Sequence, residues 1–206
     1  MKRRMIYLAG IVGMIGVAAA AWTMTVRAGY ESAEYEVIES DGNIEIREYP
    51  DLMLAATDSK MDSQGRDGSF MRLFRYISGA NEGEQKIAMT TPVFMEREVG
   101  KSDVSVGFVM PKEIAADGVP EPKGDGVNIR KREGGRFAVI RFPGRLDSQL
   151  AKEQEAKLRE WMKSRGIEGE SKVEAAGYDP PFTPGPLRRN EILIRLLDTA
   201  NTEAES

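Results

Sequence analysis

Apolar residues spaced by two, as on one face of a strand, give way twice along this chain to apolar residues spaced by three and four, as on one face of a helix. The first round opens with "YEVIESDGNIEIREYP", two extended runs flanking the hairpin signal Asp41-Gly42-Asn43, and continues with a strand over 52–57. In "RDGSFMRLFRYISG" the period changes. Phe70, Leu73, Phe74 and Ile77 fall at i, i+3, i+4 and i+7, which predicts a short helix with an aromatic core face, capped by Ser69 and ended by Gly79. Strands over 86–95 and 104–110 follow, the second marked by the alternation of Val104, Val106, Phe108 and Met110.

The stretch "EIAADGVPEPKGDGVN" has no period and is rich in Pro, Gly and acid, so it reads as a connecting loop. The same order then returns: strands over 127–131 and 137–142 across Gly134-Gly135, and a helix over 147–165 stopped by Gly166. That helix turns Leu150, Leu158, Trp161 and Met162 inward and a charged face outward. Strands over 172–178 and 191–197 enclose the loop "DPPFTPGPLRRN". Two similar ββαββ halves predict one α+β domain, a distorted, antiparallel-rich barrel of eight to nine strands with two flanking helices, because closing the sheet leaves few exposed edges.

What the chain lacks narrows its chemistry. It has no cysteine and no histidine, which removes disulfides, thiolate or imidazole metal sites, a Cys nucleophile and the commonest general base. No pair of acids sits in a motif that fixes a partner, so an enzyme is not expected. The net charge of −4 is mixed along the chain without a basic block, so no nucleic-acid partner is expected either.

The N-terminus points to a membrane. Lys2, Arg3 and Arg4 precede an apolar run over 5–26, and as a helix its roughly 22 residues would span a hydrocarbon core of about 30 Å. Val26-Arg27-Ala28 also offers a small-x-small cleavage site, so a cleaved signal is the alternative to an anchor. The expected organisation is a signal anchor or signal peptide over 1–28, a connector over 29–34, a domain over 35–198 and a frayed tail over 199–206. The leading positive charges place the domain on the extracytoplasmic, periplasmic side, anchored or, after cleavage, free.

The strings "FMRLFRYISGANEGEQKIAMTTPV", "VSVGFVMP", "AVIRFPGR" and "YDPPFTPGPLRRNEI", in that order, resemble the SOUL family of haem-binding proteins over about 33–197. The resemblance implies a two-halved barrel that binds haem or another tetrapyrrole in a surface groove between the first helix and the loop before the last strand. By position, the helix side of that groove is Phe70, Met71, Leu73, Phe74 and Arg75, and the loop side is Tyr178, Pro181, Phe182, Arg188 and Arg189. Aromatic and Met side chains suit the faces of a porphyrin, and guanidinium groups suit its propionates.

The chain departs from relatives that use an axial histidine. Haem here would be held without a protein ligand, or through Tyr, Met or Lys, with Tyr178 and Tyr76 as candidates by location. A metal-free porphyrin is the alternative occupant. The barrel also resembles effector-binding domains, which leaves open a sensor or binding module for other amphipathic small molecules. On the residues alone, "KIAMTTPV" reads as strand packing and a turn, with Met89 filling a core gap. The prolines of "DPPFTPGPLRRN" make a stiff loop in which Arg188 and Arg189 point to opposite sides if extended.

Overall fold

The computed structural model describes residues 29–59, 68–97, 104–180 and 182–197. Its strands are β1 (Glu31–Ser32), β2 (Glu36–Asp41), β3 (Ile44–Tyr49), β4 (Leu52–Ser59), β5 (Thr90–Thr91), β6 (Val93–Arg97), β7 (Val104–Val109), β8 (Asn128–Arg132), β9 (Gly135–Phe142), β10 (Val173–Gly177) and β11 (Asn190–Arg195). The helices are α1 (Ser69–Ile77), α2 (Lys112–Asp117) and α3 (Ser148–Ser164).

Nine strands form one sheet in the order β2-β3-β9-β11-β10-β6-β7-β4-β8, antiparallel at every junction. Set aside the edge strand β2, and the order reads the same from both ends once β3 is matched with β8, β9 with β4, β11 with β7 and β10 with β6. The repeat expected from the two periods is therefore a pseudo-two-fold axis, and it passes between β6 and β10. Each half also lends its first strand to the other, β3 pairing with β9 and β8 with β4.

The sheet is bent into a barrel-like α+β fold but does not close, since β2 and β8 do not pair. Its ends still approach one another: the guanidinium of Arg132 on β8 lies 5.1 Å from the Tyr49 ring on β3. The β8–β9 turn helps bring them there. A Cβ at Gly134 would lie 2.4 Å from the Tyr49 carbonyl oxygen, so only glycine allows that approach.

Alternation divides each strand between two cores. Tyr49, Leu54, Phe94, Phe137, Val139, Ala176 and Leu193 face inward and fill the barrel. On the outer face, α1 packs Leu73, Tyr76 and Ile77 against Ala55, Val106 and Phe108 of β4 and β7. Helix α3 packs Leu158 and Met162 against Ala138, Ile140, Ile192 and Ile194 of β9 and β11, the strands equivalent by the pseudo-axis. The side chain of Asp147 caps α3, its carboxylate accepting from the N–H groups of Gln149 and Leu150 at 3.0 and 2.9 Å.

Several expectations need correction. Ser69 is the first residue of α1 and Gly68 its cap, with no side-chain bond to the freed N–H groups. The core face of α1 is Leu73, Tyr76 and Ile77, while Phe70 and Phe74 are exposed, because the sheet lies one step round the helix from the face the spacing favoured. Trp161 does pack against the α3 core but stays half-buried, its indole N–H donating to Asp41 at 2.9 Å and tying α3 to the end of β2. Residues 86–89 lie outside any strand, held by Ile87 N–H donating to the Ile77 carbonyl at 2.8 Å and by the buried amide of Asn81. The expected loop after β7 contains α2, which buries no residue and so left no apolar period to read. The Thr91-Pro92 peptide is cis. Residues 31 and 32, expected in a connector, form β1 in parallel with β5. The expected N-terminal span over 1–28 and the expected tail over 199–206 lie outside the described residues. Among the described residues, no helix is long and apolar enough to cross a membrane.

Candidate functional site

Because α1 covers β4 and β7 while α3 covers β9 and β11, the outer face of the central pair, β6 and β10, stays open between the helices. There the fold leaves a groove of about 430 Å³, within the ~300–1,000 Å³ common for small-molecule sites. Val93 and Met95 of β6 and Gly177 of β10 line it as a floor. Phe70 borders it from α1, Met89, Thr90 and Thr91 from the segment around β5, and Pro180, Phe182 and Arg188 from the loop before β11. Tyr30 closes one side. A smaller recess of about 90 Å³, sharing Met95 and Leu146, continues the groove along Val173 and Ala175 beneath the start of α3.

The local order of the sequence explains the floor. On β6, Phe94 is fully buried in the barrel and Glu96 is buried beside it, so their neighbours Val93 and Met95 must face the opposite way. Val93 pairs with Gly177 and Met95 with Ala175, and the small partners leave the floor low. Phe70 is held by an edge-on contact with Phe108, centroids 5.3 Å apart, and Phe74 stacks on it at 6.3 Å with the planes 12° apart. The apolar surface thus runs out of the groove onto exposed Phe74 and Met71.

Of the residues expected at such a groove, Phe70, Tyr178, Phe182 and Arg188 border it. Leu73 does not; it is fully buried between α1 and the sheet. Arg75 lines a separate cleft with Arg72, Tyr76 and Lys123, on the side of α1 turned away from the groove. Met71 and Phe74 stand outside the lining, and Pro181 lies outside the described residues. Met89, Thr90, Thr91, Val93, Met95, Gly177 and Tyr30 are lining residues that the sequence reading did not select. The concentration of Met and Thr in "KIAMTTPVFME" was the available signal, but alternation does not say which face of a strand a helix will leave open.

Beneath the loop wall sits a buried polar cluster centred on Glu191. Arg47 donates to both carboxylate oxygens at 2.8 and 3.0 Å, Arg189 donates to Oε1 at 2.7 and 3.0 Å, and the Tyr178 hydroxyl donates to Oε2 at 2.9 Å. The Arg189 guanidinium also lies 4.0 Å from the Tyr178 ring centroid. Burial alone would raise the Glu191 carboxyl, but Arg47 and Arg189 outweigh it and hold the group below the usual carboxylate range. The two adjacent arginines therefore separate as their alternation implies: Arg189 goes to the buried carboxylate and Arg188 to the groove.

Tyr178 borders the groove with its hydroxyl committed to Glu191, and burial, with Glu191 next, pushes its phenol well above the ordinary value. Both the hydrogen bond to Glu191 and burial work against a phenolate at this position. Tyr76, the other candidate, is buried on the core side of α1 with its hydroxyl donating to the Pro120 carbonyl at 2.7 Å. Among the described residues, no group of three or more acids could hold a metal ion. The remaining soft donors at the groove are the thioethers of Met89 and Met95.

A family model described as SOUL heme-binding protein matches residues 30–195. Heme-binding protein 1 of Xenopus tropicalis is 29% identical over 175 residues, covering 80% of this chain and 91% of that one. Heme-binding protein 2 of Homo sapiens is 32% identical over 148 residues, covering 68% and 72%. Among solved structures, the EcmrR C-terminal domain superposes with a TM-score of 0.56 at 12% identity, covering 79% of this chain and 98% of that one, a likeness of fold.

Proposed function

Because the chain belongs to the SOUL family of haem-binding proteins, we propose that the groove over β6 and β10 binds haem or a related tetrapyrrole. The observation that carries this is the lining itself: aromatic, Val and Met side chains around a low floor, with one guanidinium, Arg188, at the loop wall. A porphyrin is a flat apolar disc with two carboxylates, and such a lining matches both parts. The donor set fits a tetrapyrrole held by its faces and propionates. With no histidine in the chain and the Tyr178 hydroxyl on Glu191, the metal contributes little to holding it.

Titrating the full chain, kept in detergent micelles, with hemin while recording the Soret band tests this. A saturable, shifted band is expected, with a high-spin ferric spectrum, and metal-free protoporphyrin should bind within about tenfold of hemin, a difference under ~1.4 kcal/mol. Tyr178→Phe should leave the Soret position and the affinity ratio of the two porphyrins unchanged. A phenolate-to-iron charge-transfer band lost in that variant would restore Tyr178 as a ligand. A featureless sum of spectra would instead favour a module for other amphipathic molecules.

Arg188→Ala should weaken binding of a free-acid porphyrin by about 1.5–3 kcal/mol, the range of a charge-assisted bond, and leave the dimethyl ester unaffected. Arg75→Ala, on the far side of α1, should change neither. Equal losses for acid and ester would remove Arg188 from carboxylate recognition.

The role proposed is that of a carrier or buffer, without catalysis, outside the cytoplasm. It rests on Lys2, Arg3 and Arg4 before the apolar run over 5–26, with the folded unit following. The protein should fractionate with membranes, resist high salt and carbonate, and come off only in detergent. A soluble species beginning at Gly29 would mean a cleaved signal.

A further inference from the structure

From the groove outward, the surface of α1 and the opposing loop is apolar where a protein surface is ordinarily polar. Phe70 is 37% exposed, Phe74 43%, Met71 50% and Phe182 69%. Met71 and Phe74 are neighbours at i, i+3 and Phe70 and Phe74 at i, i+4, so the three form one patch on α1. Phe182 stands on the loop wall across the groove from Phe70. Scattered apolar residues need no explanation, but a patch rimming a groove marks a docking surface.

Where the chain enters the fold says what docks there. The first described residue is Gly29, Tyr30 lines the groove, and β1 is pinned beside it, Glu31–Ser32 pairing with Thr90–Thr91 and Ala33 N–H donating to the Thr91 carbonyl at 2.8 Å. The apolar run over 5–26 ends four residues before Tyr30. Four residues reach about 14 Å at full extension. With the run over 5–26 read as the anchor, this tether keeps Tyr30 and the groove it lines within about 14 Å of the bilayer, and the apolar rim suits the interface, where such side chains settle at about 5–10 Å depth.

We infer that the rim Phe70, Met71, Phe74 and Phe182 rests on the membrane surface, so that the groove takes its amphipathic ligand from the bilayer and returns it there. This inference rests on the anchor and groove readings above. It concerns the lipid face of that site, and the occupant of the rim is the bilayer itself.

The absence of cysteine makes the test direct. The full chain is reconstituted in phosphatidylcholine–phosphatidylglycerol vesicles with a single thiol-linked dye at Met71→Cys, Phe74→Cys or, as a control on the outer side of α3, Lys157→Cys. Doxyl-labelled lipids should quench the dyes at 71 and 74 at least about threefold more than the dye at 157, as interfacial insertion requires. Equal, weak quenching at all three sites, with hemin still binding in the same preparation, would overturn the membrane contact and leave the haem reading standing. Strong quenching at 71 and 74 without hemin binding would do the reverse. Failure of the chain to float with the vesicles would sink both the anchor and this inference. Dye self-quenching at 71 and 74 that grows with protein density in doxyl-free vesicles would assign the rim to a second copy of the chain. A Met71→Ser/Phe74→Ser variant should take up hemin from preloaded vesicles about tenfold more slowly, with its affinity in detergent unchanged; equal uptake would also count against the contact.

Discussion

Replacing Glu191 with alanine is expected to destabilise the domain by about 3–5 kcal/mol, because Arg47 and Arg189 would lose the buried carboxylate that accepts most of their hydrogen bonds. Arg47 is fully buried, and among the described residues its guanidinium donates to Glu191, Glu45 and the Tyr49 hydroxyl. The shift in urea midpoint at unchanged slope measures the loss. A double replacement, Arg47→Met with Glu191→Leu, should recover much of it, since removing both charges also removes their desolvation. An unchanged midpoint in Glu191→Ala would mean that the cluster is solvated.

The same residue contributes to the acid limb of stability. The folded carboxyl of Glu191 lies below its unfolded value, so its contribution is present above the unfolded glutamate range and is lost as pH falls through the folded pKa. Glu174 runs the other way. Burial, outweighing Arg132 beside it, raises its carboxyl, so its contribution is complete below the unfolded value and fades as pH rises through the folded one. Acid titration of Glu191→Gln should therefore show a shallower fall than the parent chain below about pH 4.3, the unperturbed glutamate value. Parallel curves would assign the acid limb elsewhere.

The largest effect on binding is expected from Gly177→Phe. Gly177 sits on the groove floor opposite Val93 with φ outside the left-handed region, and a Cβ there meets only the Met95 Cε at 3.8 Å, an ordinary contact. The backbone accepts a side chain, and the side chain has nowhere to go but the groove. Hemin affinity should fall by more than about tenfold, at least ~1.4 kcal/mol, with the thermal midpoint near that of the parent. Undiminished affinity in a natively folded variant would move the site off this groove.

How much of this was readable from the residues depended on what each signal encodes. Two strand–strand–helix–strand–strand rounds were visible because period and turn chemistry are local: Gly42 and Gly166 do adopt positive φ at the turns they were read to make. Strand pairing is not local. Nothing in "IEIREY" says that it lies beside a strand some ninety residues on, so the exchange of β3 and β8 between halves was hidden. The site was half legible for a related reason. The helical wheel showed that α1 has two edges without showing which the sheet would claim, so Leu73 went to the core and Arg75 to the far side. Met89 and Met95 were conspicuous, but only the spacing of the two helices on the sheet shows that the strand between them stays uncovered.

The position of the pseudo-axis has a thermodynamic consequence. The three junctions β3·β9, β4·β8 and β6·β10 are where the halves hold one another, and the groove floor is the last of these. A molecule lying across Val93 and Gly177 touches both halves at once and can do so only while they are joined. Its binding free energy then falls on the seam, adding about 2.7 kcal/mol at a hundredfold excess over Kd. The cargo acts as a clasp, and a chain emptied of it should come apart first along its own line of duplication.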